Sequence, residues 1–352
     1  MRVHIIRRLL AGTAVTAVML GLAACGDSMS SGSGASSASS PAPGANSLQA
    51  DYVQTVRAVL PSVVLIRTSR DLGSGIVFDA NGDIVTNDHV VGTATSFQVT
   101  PSGSAKSVRA TLVGTYPPDD LAVIRVSDPS GLKPATFANS STVLVGEIVL
   151  AIGNPLGLTS SVTNGIVSAV GRTVTEPSSA DSPGATLPDT IQTSAAINPG
   201  NSGGALVNLA DQVIGIPTLA ATDQQGGGAA PGIGFAISSN IVKDIAGQLV
   251  AHGKVTNSHR AALRIRATTV AGSGGQPGGV GVVSVQPGGP AAAAGLTSGD
   301  VIVEVNGTPT PTASDLTSVL ANLSPGQKAT VKVQRPDGST TSVSVTLGTL
   351  PG

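Results

Sequence analysis

The feature that most constrains the fold of this chain is a succession of short apolar segments separated by turn-forming residues. Gly, Pro, Asn and Asp punctuate the segments, and no long amphipathic helix intervenes until about Asn240 to Ala251. Many short strands with frequent turn signals are typical of a β-barrel or sandwich, and they argue against a doubly wound sheet. The predicted strands are Val63 to Ile66, Gly75 to Phe78, Ile84 to Thr86, Phe97 to Thr100, Leu121 to Val126, Glu147 to Ile152, Gly165 to Val170 and Gln212 to Ile216.

A second unit follows a short polar connection, which we place at residues 251–260. The chain has 352 residues, enough for roughly two domains that each bury a core. We therefore assign residues 51–250 to a first domain and residues 261–350 to a second. The predicted strands of the second are Val280 to Val285, Asp300 to Val305, Lys328 to Gln334 and Ser339 to Leu347, with one helix at Ser314 to Leu323.

The N-terminus has the pattern of an export signal. Three arginines among the first eight residues precede an apolar run from Leu9 to Leu22, and small residues then lead to Cys25, the one cysteine of the chain. The run is short for a spanning helix, and the pattern resembles a bacterial lipoprotein signal, so we predict a signal peptide at residues 1–24 and lipidation of Cys25. Acyl chains there would anchor the protein to the outer face of a membrane. An ordinary secretory signal is the alternative.

Residues 25–50 are predicted to form a flexible tether. From Gly26 to Asn46 this segment is mostly Ser, Gly, Ala and Pro, with almost nothing to bury. Helical spacing begins afterwards, from Asp51 to Leu60, and ends at Pro61.

The composition excludes several kinds of partner. Charged residues make up 11% of the chain, the formal net charge is -1, and aromatic residues make up only 2%. Because nucleic-acid binding relies on basic surfaces and aromatic stacking, we do not expect nucleic acid as a partner. The cores must be aliphatic. We expect no cofactor and no metal site.

The glycine-rich stretch from Ala196 to Leu206 is a candidate nucleophile loop. A serine hydroxyl becomes reactive when a base accepts its proton and backbone N–H groups await the oxyanion. Gly200, Gly203 and Gly204 surround Ser202 and permit the tight turns that such a loop requires. The alternative is a loop of turn-forming residues between two strands, without chemistry.

A base for this serine is found by elimination. The chain has four histidines. His4 lies in the signal peptide, and His252 and His259 lie in the connection between the domains. His89 is the one histidine inside the first domain, which makes it the candidate base. The alternative is a histidine with a structural role only.

A base of this kind needs a carboxylate that fixes its tautomer. Asp119 and Asp120 precede a predicted strand, and adjacent residues of an extended chain point to opposite sides, so only one is expected to face the site. The order His, Asp, Ser along the chain is that of chymotrypsin-like barrels and differs from the subtilisin-like and α/β-hydrolase orders. Two solvated aspartates at a strand end are the alternative.

Five longer motifs extend this pattern. They are GSGIVFDANGDIVTNDHVV at Gly73 to Val91, DLAVIRV at Asp120 to Val126, IGNPLGLTSSVTNGIVSAVGR at Ile152 to Arg172, QTSAAINPGNSGGALVN at Gln192 to Asn208 and GIGFAIS at Gly232 to Ser238. With these motifs, residues 51–350 resemble an HtrA-type (Deg) serine protease. The resemblance implies a mostly β fold, a chymotrypsin-like double β-barrel followed by one PDZ domain.

The resemblance also assigns roles position by position. It implies His89 as the base, Asp120 as the orienting acid, Ser202 as the nucleophile, and the N–H groups of Gly200 and Ser202 as oxyanion donors. Asp119 is then expected to point away into solvent or a turn. The family further implies a homo-oligomer, a trimer, with unfolded or misfolded polypeptides as substrates.

Two positions depart from the family pattern. Ser194 stands where relatives usually carry Asp, and Arg264 stands where they usually carry Gly. The segment before Gly73 is short, so the long regulatory loop of some periplasmic relatives is not expected, which favours the membrane-anchored branch. Ala195 to Ile197 supply no carboxylate for a basic substrate side chain, which favours cleavage after small or medium aliphatic residues.

The second domain resembles a PDZ domain through Gly281 to Val285 and Pro290 to Leu296. Such a domain adds the C-terminal end of a partner to an open sheet edge and holds the carboxylate with backbone N–H groups of a loop. That loop is expected at Ala261 to Ile265. An arginine at position 264 restricts the φ range that glycine would allow, whereas its guanidinium offers a positive charge for the carboxylate of the partner's C-terminus. The candidate peptide-binding residues are Leu263, Arg264 and Ile265. A small β-domain with Ala-rich turns is the alternative.

We therefore expect a serine endopeptidase that cleaves unfolded or damaged exported proteins and is regulated through its PDZ domain. The alternative is a catalytically silent scaffold that binds peptides or acts like a chaperone. The two hypotheses differ in whether Ser202 reacts.

Overall fold

The computed structural model describes residues 43–69, 71–154, 161–176, 184–198, 200–222, 229–272 and 274–352. The predicted signal peptide, Cys25 and most of the predicted tether lie outside the described residues. In the part of the chain that the structure describes, no helix is both long and apolar enough to cross a membrane.

Six antiparallel strands close into a first barrel, in the order β1, β2, β3, β6, β5, β4 around its wall. Their bounds are β1 (Val63–Arg67), β2 (Leu72–Val77), β3 (Asp83–Thr86), β4 (Ser96–Pro101), β5 (Val108–Tyr116) and β6 (Leu121–Val126). Val64, Ile66, Val77, Ile84 and Ile124 pack in one fully buried cluster, as the aromatic-poor composition predicts.

Six further strands close into a second barrel, in the order β10, β11, β12, β9, β8, β7. Their bounds are β7 (Ile148–Gly153), β8 (Ser161–Glu176), β9 (Ala185–Thr193), β10 (Ala205–Asn208), β11 (Val213–Thr222) and β12 (Ala229–Ser238). A larger aliphatic cluster, which includes Ile76, Leu121 and Ile152, joins the two barrels.

The C-terminal unit is a sheet in the order β14, β15, β16, β18, β19, with β17 beside β16 and a separate pair of β13 and β20. Its strand β14 is therefore an edge strand. The bounds are β13 (Ala261–Ala262), β14 (Ile265–Ala271), β15 (Pro277–Val285), β16 (Val301–Val305), β17 (Thr308–Pro309), β18 (Lys328–Gln334), β19 (Thr340–Thr346) and β20 (Gly348–Thr349).

Five α-helices complete the described fold: α1 (Pro43–Val59), α2 (Asp88–Val91), α3 (Ser239–His252), α4 (Pro290–Ala293) and α5 (Ala313–Ala321). Helix α3 buries Val242, Ile245, Ala246 and Leu249, the spacing of one helical face. Helix α5 begins with a capping box, in which the Thr312 hydroxyl accepts from the helix and a carboxylate of the first turn accepts from the Thr312 N–H.

The predicted fold class, a mostly β double barrel followed by a PDZ domain, is confirmed. Helix α1, however, begins at Pro43 instead of Asp51, so residues 43–50 of the predicted tether are helical. Tyr52 and Val56 pack against the core together with buried Val59, and a helix anchored in this way extends at little cost into preceding residues.

The pattern did not predict β5, β9, β10 and β12 in the barrels, or β13, β14, β17 and β20 in the C-terminal unit. Strands β5 and β14 show why. Strand β5 fully buries only Ala110, Gly114 and Tyr116, and β14 has no fully buried residue, so neither presents an apolar run.

Part of the polar connection predicted at residues 251–260 is buried. Val255 and Arg260 within it are buried.

Candidate active site

The pairing of β3 with β6 brings the candidate base and acid together. Thr86 at the end of β3 lies opposite Ala122 near the start of β6. His89 lies in α2 just after β3, and Asp120 follows the 3-10 turn Pro117–Asp119 just before β6. Strand pairing thus places side chains 31 residues apart in the chain at the same end of the first barrel.

His89 and Asp120 are joined by hydrogen bonds from both the ring and the backbone. His89 Nδ1 lies 2.8 Å from Asp120 Oδ2 and 3.0 Å from Oδ1. The backbone N–H of His89 donates to Oδ1 at 3.0 Å. The side chains are 26% and 4% exposed, so the histidine is open to solvent and the carboxylate is not. A carboxylate at Nδ1 favours the tautomer in which Nε2 accepts protons.

Two further side chains hold Asp120. The Thr218 hydroxyl donates to Asp120 Oδ2, and Asn87 Nδ2 donates to the Asp120 carbonyl at 2.9 Å. Asp120 itself has φ of 50°, in the left-handed region that few residues other than glycine adopt. A conformation of this kind persists when its surroundings fix it, and these contacts do so.

Ser202 lies close to the same residues, before strand β10. Its hydroxyl donates to the carbonyl of Thr218 at 3.3 Å. Thr218 therefore contacts Asp120 through its hydroxyl and Ser202 through its carbonyl, and this links all three predicted residues in one place. Sequence reasoning missed Thr218, because nothing in its local pattern distinguishes it from other strand residues.

Close backbone packing explains the glycines after Ser202. Gly203 has φ of 79°, and a Cβ there would lie 2.2 Å from the carbonyl oxygen of Ser74. At Gly204 a Cβ would lie 2.4 Å from the carbonyl oxygen of Ile152. Both positions therefore require glycine if the loop is to hold this path.

Ser74 is a second residue that sequence reasoning missed, although it lies in one of the family-like motifs. Its hydroxyl donates to the Gly200 carbonyl at 2.5 Å and accepts from the Asn154 N–H at 2.8 Å. Its N–H donates to the Ser202 carbonyl at 3.1 Å. Ser74 thus ties the candidate nucleophile loop to Asn154, directly after β7.

The residues predicted to set substrate preference precede the nucleophile loop. Ala195 and Ile197 are buried in the second barrel, while Ala196 between them is exposed. The exposed Ser194, where relatives usually carry Asp, accepts the N–H of Ile166 at 3.0 Å through its hydroxyl. The serine oxygen thus accepts a backbone hydrogen bond without supplying the charge that an aspartate would carry.

Two carboxyl groups near the site have raised pKa values. Burial, and then the negative charge of Asp120, raise the pKa of Asp88 to about 6, against a smaller lowering by His89. Burial also raises the pKa of Asp119 to about 6, against a lowering by Arg260. Asp119 was expected to point away into solvent or a turn: it lies in a turn, and it is only 3% exposed because Arg260 covers it.

The predicted peptide-binding residues lie at a cavity of about 620 Å³ between β14 and α5. Leu263 and Ile265 line it from one side, and Leu316 and Leu320 line it from the helix. Arg264 has φ of 56°, so the arginine adopts the conformation that glycine would take freely. Its Nε donates to the carbonyl of Thr349 at 3.2 Å.

Among the described residues, no group of His, Cys, Asp and Glu side chains has the arrangement of a metal site.

Comparisons with known proteins agree with this fold. Residues 73–216 match the trypsin-like peptidase domain family, and residues 248–347 match the PDZ domain family. The chain is 38% identical to the serine protease PepD of Mycobacterium tuberculosis, over 91% of this chain and 70% of PepD. It is 40% identical to the periplasmic serine endoprotease DegP of Escherichia coli, over 78% of this chain and 56% of DegP. It thus spans little more than half of DegP.

A solved structure of the HtrA-type protease AlgW with a decapeptide has a TM-score of 0.57 and 30% identity, and the match covers 86% of this chain and 99% of AlgW. Fold, domain order and sequence identity all lead to one assignment. The chain belongs to the HtrA/DegP family of trypsin-like serine proteases with one C-terminal PDZ domain.

Proposed function

We propose that this chain is an exported serine endopeptidase that cleaves unfolded or damaged polypeptides. The observation that carries the proposal is the set of hydrogen bonds around the buried Asp120 carboxylate. This carboxylate lies between the His89 ring and the Thr218 hydroxyl, and the Ser202 hydroxyl donates to the carbonyl of the same threonine. A carboxylate, an imidazole and a hydroxyl are the groups that acyl transfer to serine requires.

In the proposed mechanism, His89 Nε2 accepts the proton of Ser202 as Oγ attacks the scissile carbonyl. Asp120 stabilises the imidazolium that forms. The N–H groups of Gly200 and Ser202 bind the oxyanion, and the loss of one such donor typically costs about 3 kcal/mol of transition-state stabilisation. His89 then donates its proton to the leaving amine, and a water molecule releases the acyl group by the same steps.

Cleavage is expected after small or medium aliphatic residues, because the segment from Ala195 to Ile197 has no carboxylate to pair with Lys or Arg. Digestion of a denatured protein followed by mass spectrometry of the fragments should show Ala, Val, Ile or Leu before most cut bonds. The same protein in its folded form and a Ser202→Ala enzyme serve as controls. Cleavage mainly after Lys or Arg would contradict this preference.

The second unit is proposed to bind the C-terminal ends of peptides. Its groove has an edge strand, β14, on one side and α5 on the other, which suits addition of an extended peptide. Leu263, Ile265 and Leu316 offer an apolar surface for the last side chain, and Arg264 adds a positive charge at the loop expected to hold the carboxylate.

Regulation of the protease by this groove is the next part of the proposal. Helix α5 packs against β8 and β9 of the second barrel. The Thr175 and Ser318 hydroxyls lie 2.9 Å apart, and the Thr173 hydroxyl donates to Asn322 Oδ1 at 2.8 Å. A peptide that binds one arrangement of this interface more tightly than another will shift the activity.

Peptides with a free C-terminus are expected to change the rate at which the full-length protein cleaves a short chromogenic substrate. A coupling of about 1 to 3 kcal/mol corresponds to a change of roughly 5- to 150-fold. A library of C-terminal peptides should contain active members, and their amidated forms are the control because they lack the carboxylate. If no peptide alters the rate of a folded, reactive enzyme, the groove is a passive binding site.

An extracytoplasmic location and a lipid anchor at Cys25 are also proposed. The export pattern of the first 25 residues supports them, as does the periplasmic location in the name of the relative DegP. A trimer is proposed from the family resemblance.

A further inference from the structure

A buried ion pair joins the C-terminal unit to the residue beside the proposed catalytic acid. Arg260 Nη1 donates to Asp119 Oδ1 at 2.6 Å and to the Pro118 carbonyl at 2.8 Å. The two side chains are 8% and 4% exposed. The residues are 141 positions apart in the sequence, so this contact exists only in the folded protein.

The pair holds the turn that presents Asp120. Residues Pro117–Asp119 form one 3-10 turn, which the Asp120 N–H closes by donating to the Pro117 carbonyl at 3.0 Å. Arg260 binds two consecutive residues of this turn, and Asp120 follows directly with its left-handed φ of 50°. A change in the turn therefore changes the direction of the Asp120 carboxylate.

Arg260 is in turn held by the C-terminal unit. Its carbonyl accepts from the N–H of Leu350 at 2.7 Å, and its N–H donates to the Ser258 hydroxyl at 3.3 Å. It directly precedes β13 and lines the same cavity as Leu263 and Ile265. The guanidinium thus extends from the base of the peptide groove to the catalytic turn.

We propose that Arg260 is a positioning residue for Asp120, acting through Asp119, so that the first domain has a complete active site only with the C-terminal unit in place. This inference rests on the proposed role of Asp120. The inference gives Arg260, at the end of the connection between the domains, a function in the reaction. Removal of the second unit is then expected to lower the activity directly, with or without a regulatory peptide.

The electrostatics of the pair support this role. A charge buried without a partner is strongly unfavourable, so removal of Arg260 forces Asp119 to neutralise or to move, and removal of Asp119 forces Arg260, which stays charged, to move. Burial already raises the pKa of Asp119 to about 6 although Arg260 lowers it. Without Arg260 that pKa rises further, and Asp119 becomes neutral or shifts the turn towards water.

The test uses the full-length protein with Arg260→Gln, Asp119→Asn and both changes together. Reactive Ser202 is first titrated with a fluorophosphonate, and kcat for a short peptide is then expressed per titrated site. Each single variant is expected to have a kcat about 10- to 100-fold lower, with KM little changed, because small displacements of catalytic groups slow the chemical step by such factors. The double variant should recover most of this loss, because two neutral amides can satisfy each other where one unpaired charge cannot.

Arg109→Gln is the matched control, since Arg109 is an exposed arginine on β5, the strand that leads into the turn. If Arg260 and Asp119 only stabilised the fold, their variants would have fewer titrated sites but an unchanged kcat per site. If Arg260→Gln fails to fold, Arg260→Lys replaces it. Lysine keeps the charge, but its ammonium is one atom closer to the backbone than the Nη1 that makes both bonds, so kcat per site should again fall.

Single variants with wild-type kcat per site, or a double variant that is no better than the singles, would overturn the inference. A folded wild type that never reacts with the probe would instead overturn the proposed function itself, so the two failures are distinguishable.

Discussion

Replacing Ser202 by alanine is expected to abolish both peptide cleavage and labelling by a fluorophosphonate probe. The hydroxyl is the proposed nucleophile, and loss of the serine from a triad of this kind lowers kcat on the order of 10⁶-fold. The measurements are gel detection of the labelled protein and hydrolysis of a chromogenic peptide. Ser107→Ala is the matched control, because Ser107 is an exposed serine whose hydroxyl bonds only locally, to Thr100.

The same experiment separates the enzyme from its alternative. A catalytically silent scaffold would keep the fold and the peptide groove while the wild type fails to react. If folded wild-type protein takes up no probe, even with C-terminal peptides present, the endopeptidase proposal is wrong and the scaffold is favoured.

Asp120→Asn is expected to lower kcat on the order of 10⁴-fold while leaving KM nearly unchanged, since an amide facing Nδ1 favours the wrong histidine tautomer. In this structure the carboxylate accepts the ring N–H and the backbone N–H of His89 and the hydroxyl of Thr218. An asparagine has only one acceptor oxygen and cannot serve all three donors.

Asp119→Asn is the matched comparison for this substitution. Because Asp119 acts on the site only through the turn, its loss should stay near the 10- to 100-fold expected of a displaced group. Steady-state kinetics of both variants, with circular dichroism to show that each is folded, give the ranking. Equal losses, or a larger loss for Asp119→Asn, would show that Asp120 is not the orienting acid.

The residues themselves were enough to select His89 and Ser202 as candidates, whereas the choice of Asp120 over Asp119 came from the family resemblance. Hydrogen bonds through Thr218 bring the three residues together. Local chemistry made the selection of His89 and Ser202 possible: one histidine lay in the β-rich half, and glycines flanked one serine. Short apolar runs also indicated a β-barrel or sandwich, because buried strands appear as such runs wherever both faces are covered. The double barrel and the PDZ domain were implied by the family resemblance.

Other features depended on contacts between distant segments, and local patterns do not encode these. Strand β14 buries no residue completely, so its place at the edge of the C-terminal sheet follows only from its pairing with β15. Thr218 and Ser74 become part of the site because β11 and β2 pass beside the nucleophile loop.

Asp119 shows most clearly how the tertiary structure can differ from what the local sequence predicts. From the sequence it was an acid beside a turn, for which solvent exposure is the default. Only the tertiary structure brings Arg260, 141 residues later, against it and buries both charges. A buried charge is stable only beside a partner, and the partner's position depends on how the two domains pack. The sequence thus determined which groups are available for chemistry, and the packing of the domains decided which further residues hold those groups in place.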